Sequence, residues 1–237
     1  MKAAAHGAAE IIIQSLMIIA FVIAAMAAII REARANRAER RRLLDLQLLA
    51  ARLGFEEFKP DRDEAFALGW GFLDRLAQGE DRYAFNILRG TYHDQRLFVF
   101  DYHYRTGTGK SRDEHYFTML MLVVPEAFPQ VTITAGGESV LAKVTAALGG
   151  RNDIKFESAE FSRNFHVRSR DKRFAYDVCN AQMIEYLLAN RDLEVEIQGP
   201  VLSLAFAPQL SAGQIESNLQ RLVEIRSRLP EYLFTNT

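Results

Sequence analysis

Residues 11–30 read "IIIQSLMIIAFVIAAMAAII", twenty positions without a charge and with only Gln14 and Ser15 polar. At about 1.5 Å rise per residue a helix of that length covers roughly 30 Å, the thickness of a bilayer core. The pattern predicts a transmembrane helix over 11–30, with the bilayer as its partner. "REARANRAERRR" follows at 31–42, and no Gly or Pro interrupts residues 31–53. Ala, Arg and Leu are good helix formers, and Gly54 suits a helix C-terminus. A basic juxtamembrane helix is therefore expected over 31–54, and a soluble domain over 55–237.

Within that domain the period changes several times. Pro60 and Asp61 are expected to open a helix that Gly79 closes, with Phe66, Trp70, Leu73 and Leu76 as its apolar stripe. From 83 the pattern is strand-like. "YAFNILRGTY" and "RLFVFDYHYR" flank turn residues at His93-Asp94-Gln95. "HYFTMLMLVV" and "QVTITAG" follow, separated by the breaker "PEAFP". A short helical or loop stretch over 138–150 precedes the strands "DIKFES" and "NFHVRSR". Asp171 reads as the N-cap of one helix carrying Ala175, Val178, Cys179, Met183, Tyr186 and Leu187, ended by Asn190. "LEVEIQG" and "VLSLAFAP" read as a hairpin around Gly199-Pro200. The last helix starts at Ser211 with Gln214 three residues on, a capping box. Its expected buried stripe is Ile215, Leu219, Leu222, Val223 and Leu229, and Pro230 stops it. Strands in succession mixed with helices, without regular βαβ alternation, predict an α+β fold with a mostly antiparallel sheet.

Charge adds an orientation. The six arginines Arg31, Arg34, Arg37, Arg40, Arg41 and Arg42 follow the apolar run, whereas Lys2 alone precedes it. A Lys/Arg excess on that side predicts a cytoplasmic C-terminal domain. The same arginines are candidates for contact with anionic lipid head groups. Two other readings of 11–30 fit less well. Ala25-Met26-Ala27 resembles a signal-peptide cleavage site, but arginines after the cut oppose export. A buried core helix would be unusually long for a segment apolar all round. The net charge of −1 points to no nucleic-acid partner. The single cysteine, Cys179, excludes a disulfide framework and a zinc ribbon.

"TGTGKS" at 106–111 looks like the end of a phosphate-binding loop. A P-loop needs a glycine where this chain has Tyr104, and a helix where "RDEHYFTMLMLVV" is rich in β formers. The segment reads as a hairpin loop with Gly107 and Gly109 at left-handed positions, and neither a nucleotide nor another cofactor is expected.

On the strand before that loop Asp101 and His103 share one face, expected to be polar, while Phe98, Phe100, Tyr102 and Tyr104 face the core. If the register set His115 beside them, two histidines and a carboxylate could hold a catalytic metal. A Ser–His–Asp site has no Gly-x-Ser-x-Gly elbow to support it. Further on, Arg168 and Arg170 share a strand face with His166. Lys172 and Arg173 occupy the first turn of a helix, where cations oppose the dipole. These four are candidate anion contacts, against the plainer reading of a solvated charged face.

"GEDRYAFNILRGTY", "FDYHY", "HYFTMLML", "FPQVTI", "DIKFESAEFSRNFHVRSRDKRFAYDV" and "MIEYLLANRDLEVEI" together resemble a family of uncharacterised bacterial proteins with an N-terminal membrane segment and a soluble α+β domain of unknown function. The resemblance covers roughly 55–235. It implies bacterial origin and membrane attachment, and no activity or catalytic residue; the inner membrane is the expected location. The expectation is a single-pass protein whose cytoplasmic, non-enzymatic domain binds a protein partner or an anionic lipid surface. The alternative is a membrane-tethered, metal-dependent hydrolase using Asp101, His103 and His115.

Overall fold

The computed structural model describes residues 2–109, 111–136 and 153–235, and leaves undescribed the side chains of 2–16 and 18. The stretch expected at 138–150 lies outside the described residues. The chain divides into two compact units, 1–45 and 46–237.

The first unit is helical. It belongs to α1, which runs from Lys2 to Leu53 as one continuous helix, the apolar run leading directly into the basic stretch. Met17, Phe21, Ile23, Met26 and Ile29 are all more than half exposed. The arginines from Arg31 to Arg41 are exposed, and Arg42 is half-buried. Among the described residues no helix is long and apolar enough to cross a membrane. The side chains of 11–16 and 18, which belong to the predicted span, are outside that set.

The second unit begins with the last turns of α1. They end as expected at Gly54, whose φ of +70° suits a residue without Cβ. There follow β1 (Glu57–Lys59), α2 (Glu64–Gly69), β2 (Glu80–Tyr92), β3 (Gln95–Thr106), β4 (Asp113–Ala135) and β5 (Asp153–Ile154). Then come α3 (Ala159–Asn164), β6 (Phe165–Ser169), α4 (Lys172–Val178), α5 (Ala181–Ala189), β7 (Val195–Phe206), α6 (Ala212–Arg228) and a 3-10 turn over Glu231–Phe234. The sheet is antiparallel in the order β1-β2-β3-β4-β6-β5, with β7 on the other edge of β4. The fold is thus α+β with a mostly antiparallel sheet packed with helices.

Each face of this sheet has its own core. On one face Leu88, Leu97, Val99, Leu120 and Leu122 pack with Leu46 and Leu49 of α1 and with Leu219 and Leu222 of α6. On the other, Phe98, Phe100, Tyr102, Met119 and Met121 pack with Leu73 and Leu76. β3 is therefore buried on both sides.

Several boundaries differ from the periodicity. The helix expected from Asp61 to Gly79 is only α2, capped by Asp63, whose carboxylate accepts the Phe66 N–H at 2.8 Å. Gly69 and Gly71 flank Trp70 and favour the turns that follow. The "PEAFP" segment does not break the chain into two strands; β4 runs through it. β3 pairs with β4 up to Leu122 and β6 pairs from Val131, so the stretch between has β7 alone beside it, with register shifts around Phe128. Proline is tolerated at such an open edge or bulge. "DIKFES" forms only a two-residue strand, and Ser158 caps the unexpected helix α3. The single helix expected after Asp171 is two, because Asn180 caps α5 by accepting the Met183 N–H.

"LEVEIQG" and "VLSLAFAP" are one strand rather than a hairpin. β7 bends at Gly199, where φ is +54°, and both halves pair with β4. The bend nevertheless brings its ends together. The Ala205 N–H donates to Glu194 O at 3.4 Å, and Ser203 Oγ donates to Glu196 O at 3.1 Å. In α6 the capping box at Ser211 and Gln214 is present. Its stripe uses Ile225 in place of Val223, which is only half-buried.

Candidate functional site

The β2–β3–β4 sheet decides what Asp101, His103 and His115 can do together. Residues directly opposite in antiparallel strands share a face. His103 lies opposite Tyr116 and Asp101 opposite Thr118, whereas His115 lies opposite Tyr104. His115 is therefore on the other face from Asp101 and His103. Its ring stacks on Tyr104 at 4.6 Å, and its Nε2 is 2.7 Å from Thr106 Oγ1. The register does not bring the three side chains together. Among the described residues no group of three His, Cys, Asp or Glu side chains could hold a metal ion.

The face expected to be polar and solvated is buried instead: Asp101 and His103 are each 1% exposed. Asp101 accepts from Asn86 Nδ2 at 2.8 Å and from Thr118 Oγ1 at 2.7 Å. Thr118 Oγ1 in turn accepts the Leu210 N–H at 2.9 Å. The network joins three strands to the segment that leads into α6. Asn86 reaches it from a bulge with φ of +51°, a conformation that Asn tolerates better than most side chains.

His103 lies between the rings of Tyr83 and Tyr116, at 4.5 and 4.7 Å. Its Nδ1 is 3.1 Å from Asp81 O. A carbonyl only accepts, so Nδ1 carries the proton. Nε2 makes no hydrogen bond and lies 3.9 Å from Glu114 Oε2. Over this pair runs a charged rim: Arg62 and Arg105 bond Asp81 at 2.8 and 3.0 Å, and Arg105 bonds Glu114 at 3.2 Å. Arg62 also stacks on the Tyr83 ring at 3.8 Å.

"TGTGKS" joins β3 to β4 as a hairpin loop, with Thr106 opposite Asp113. Gly107 and Gly109 have φ of +80° and +63°. A Cβ on Gly107 would collide with Ser111 O. A strand follows the loop where a phosphate loop needs a helix, and Lys110 lies outside the described residues. In the basic stretch, His166, Arg168 and Arg170 alternate with the buried Phe165, Val167 and Ser169. Arg170, Lys172 and Arg173 are exposed and Arg168 half-buried, with Asp153 opposite Arg168 in β5. Asp171 caps α4 through the Phe174 N–H at 3.0 Å. Burial pushes the Cys179 thiol up to about 12, which leaves no thiolate for chemistry near neutral pH.

A second buried polar group escaped the sequence reading. Glu194 and Glu196 alternate with Leu193, Val195 and Ile197, a pattern that suggests a solvated face. The bend in β7 turns them inward, against Arg75. Arg75 pairs with Glu194, and burial brings its guanidinium down to about 10. The Glu196 carboxylate accepts the Asp74 and Arg75 N–H groups at 2.6 and 3.3 Å. Beside them is a cleft of about 560 Å³, lined among others by Arg75, Glu194, Phe206, Gln214 and Asn218. An arginine between Leu73 and Leu76 in an apolar stripe was the available signal for a buried counter-charge.

Burial raises Glu196 from 4.5 to about 7, its two N–H bonds opposing the shift. A carboxyl with a raised folded-state pKa stabilises the fold most when protonated, below its unfolded value, and that contribution is lost as pH rises toward 7. Unfolding free energy is expected to fall by roughly 2–3 kcal/mol between about pH 4.5 and pH 7 from this group. Glu196→Gln removes the titrating group and should flatten that part of the profile in denaturant titrations. An unchanged slope in the variant would remove Glu196 as its source.

No family model matches the chain, and no curated protein matches it. The likeness drawn from the quoted segments therefore stands on those segments alone. Among solved structures the fold is similar to the crystal structure of the mycobacterial trehalose monomycolate transport factor A, TtfA, with 13% identity and a TM-score of 0.58. The match covers 81% of this chain and 97% of that one. At that identity the likeness is one of fold.

Proposed function

We propose that the chain is a membrane-attached, non-enzymatic binding protein. The apolar segment 11–30 spans the bacterial inner membrane once. Arg31, Arg34, Arg37, Arg40, Arg41 and Arg42 lie at its cytoplasmic face, near anionic head groups. The α+β domain is cytoplasmic and binds a protein partner or an anionic lipid surface, with Arg168, Arg170, Lys172 and Arg173 as its candidate anion contacts. The observation that carries this reading is the run of exposed apolar side chains up to Ile30, followed at once by exposed arginines. Such a surface is costly in water and favourable in a bilayer. The similarity to a transport factor supports a role as an accessory to transport rather than as a catalyst. Asp101, His103 and His115, separated by the register, give the hydrolase alternative no assembled site.

A reporter fused after Thr237 should read as cytoplasmic, and the chain should stay with the membrane after alkaline extraction. Changing Arg40, Arg41 and Arg42 to glutamine should yield a mixed orientation, because the Lys/Arg bias sets topology. A periplasmic reading from the parent fusion would overturn the orientation, and release by alkali would overturn the anchor.

A further inference from the structure

Most of the charges between residues 31 and 45 are sorted around the helix. Ile23, Ala27 and Ile30, then Arg34, Arg37 and Arg41, then Leu44, are spaced alternately four and three residues apart. That is the 3.5-residue repeat of a seam through which one helix packs along another. All seven side chains are exposed. Arg31 and Arg40 fall at the positions flanking the seam. Glu32 and Glu39 are seven residues apart at the position farthest from it, on the back of the helix; Arg42 also falls on the outer side, and Asp45 flanks the seam beside Arg41. A topology signal needs only a number of positive charges. It does not need five of six arginines on or beside one seam with both glutamates behind it. A ring of lipid around an upright helix likewise meets every side equally.

We infer that this seam packs against a helix of a different chain. The partner helix is apolar beside Ile23, Ala27, Ile30 and Leu44, and carries Asp or Glu beside Arg34, Arg37 and Arg41. A second copy of this chain does not fit. In a membrane the two copies would run parallel, and three successive layers would set arginine against arginine, a repulsion that specifies against pairing. At about 1.5 Å per residue Arg34 is roughly 6 Å above Ile30 and Arg41 roughly 16 Å. Head groups occupy only the first several ångströms beyond the hydrocarbon. Arg41 thus stands beyond direct contact with head groups, though within about a Debye length of their charge, and is open to a protein neighbour. Setting the partner at membrane level rests on the proposed anchor; the seam itself does not.

The test is site-specific photo-crosslinking of the full chain in its own membranes. A photoreactive residue replaces either Arg37, on the seam, or Glu39, on the back. The seam position should give one dominant protein adduct and the back position at least tenfold less. The crosslinked peptide should be a helix segment with Asp or Glu at three- and four-residue spacing. Arg34→Glu with Arg41→Glu should abolish the adduct, and exchanging the partner's acidic residues for arginine should restore it. Equal adducts from both positions, adducts to lipid alone, a self-adduct, or a peptide without acidic residues would each overturn the inference. Alkaline extraction, read separately, tests the anchor, so failure of one is not mistaken for failure of the other.

Discussion

Asp101→Ala is expected to lower the unfolding free energy by about 3–5 kcal/mol, because it strands two buried donors at about 1–3 kcal/mol each and opens a small cavity. The stranded groups are Asn86 Nδ2 and Thr118 Oγ1, which meet the Asp101 carboxylate at 2.8 and 2.7 Å. Thr118→Val tests the same network from the next strand. It removes the acceptor of the Leu210 N–H and one donor to Asp101, and about 2–3 kcal/mol should be lost. The losses should not add in the double variant, because the second change removes a partner already gone. Equilibrium denaturation of the four proteins gives the coupling directly. A near-neutral Asp101→Ala would mean that water reaches this carboxylate and that the face is the solvated one the sequence suggested.

That contrast marks where sequence patterning stops. Period-two alternation correctly separates Asp101 and His103 from Phe100 and Tyr102 as two faces of β3. It does not say whether the more polar face meets water. That depends on the segment before α6 returning from nearly a hundred residues away to place the Leu210 N–H on Thr118. Glu194 and Glu196 fail in the same way, since the bend at Gly199 is a tertiary event. Local chemistry carries the elements that were placed well. Ser211 with Gln214, Asp171 and Gly54 mark helix ends because each satisfies, or permits satisfaction of, a backbone group within a few residues.

The metal site depended on register, which the residues near the turn set. The two-residue loop at His93 and Asp94, with φ of +48° and +60°, pairs Tyr92 with Gln95. The loop after Thr106 then fixes His115 opposite Tyr104. A shift of one residue would have placed it opposite His103. Hydrophobicity is no guide there, because β3 is buried on both faces.

The other large effect is expected one residue away on the opposite face. Phe100 is 0% exposed, lies opposite Met119, and meets the Phe66 ring edge-on at 5.1 Å. Phe100→Ala should cost about 3–5 kcal/mol, the usual range for a buried aromatic truncated where neighbours cannot collapse fully. Here α2 and the turns after it form the lid of the core. Tyr102 Oη holds that lid by donating to Leu76 O at 2.7 Å, so Tyr102→Phe should cost about 1–2 kcal/mol by removing a buried hydrogen bond and leaving Leu76 O only the long 3.4 Å bond from Arg82. Phe72→Ala is the internal control. Phe72 belongs to the same segment but is 41% exposed, and about 1 kcal/mol or less is expected. The three variants, measured by urea denaturation with near-ultraviolet dichroism following Trp70, separate core from cover. If Phe100→Ala and Phe72→Ala cost the same, the aromatic face of β3 does not form a second core, and the sheet packs on one side only.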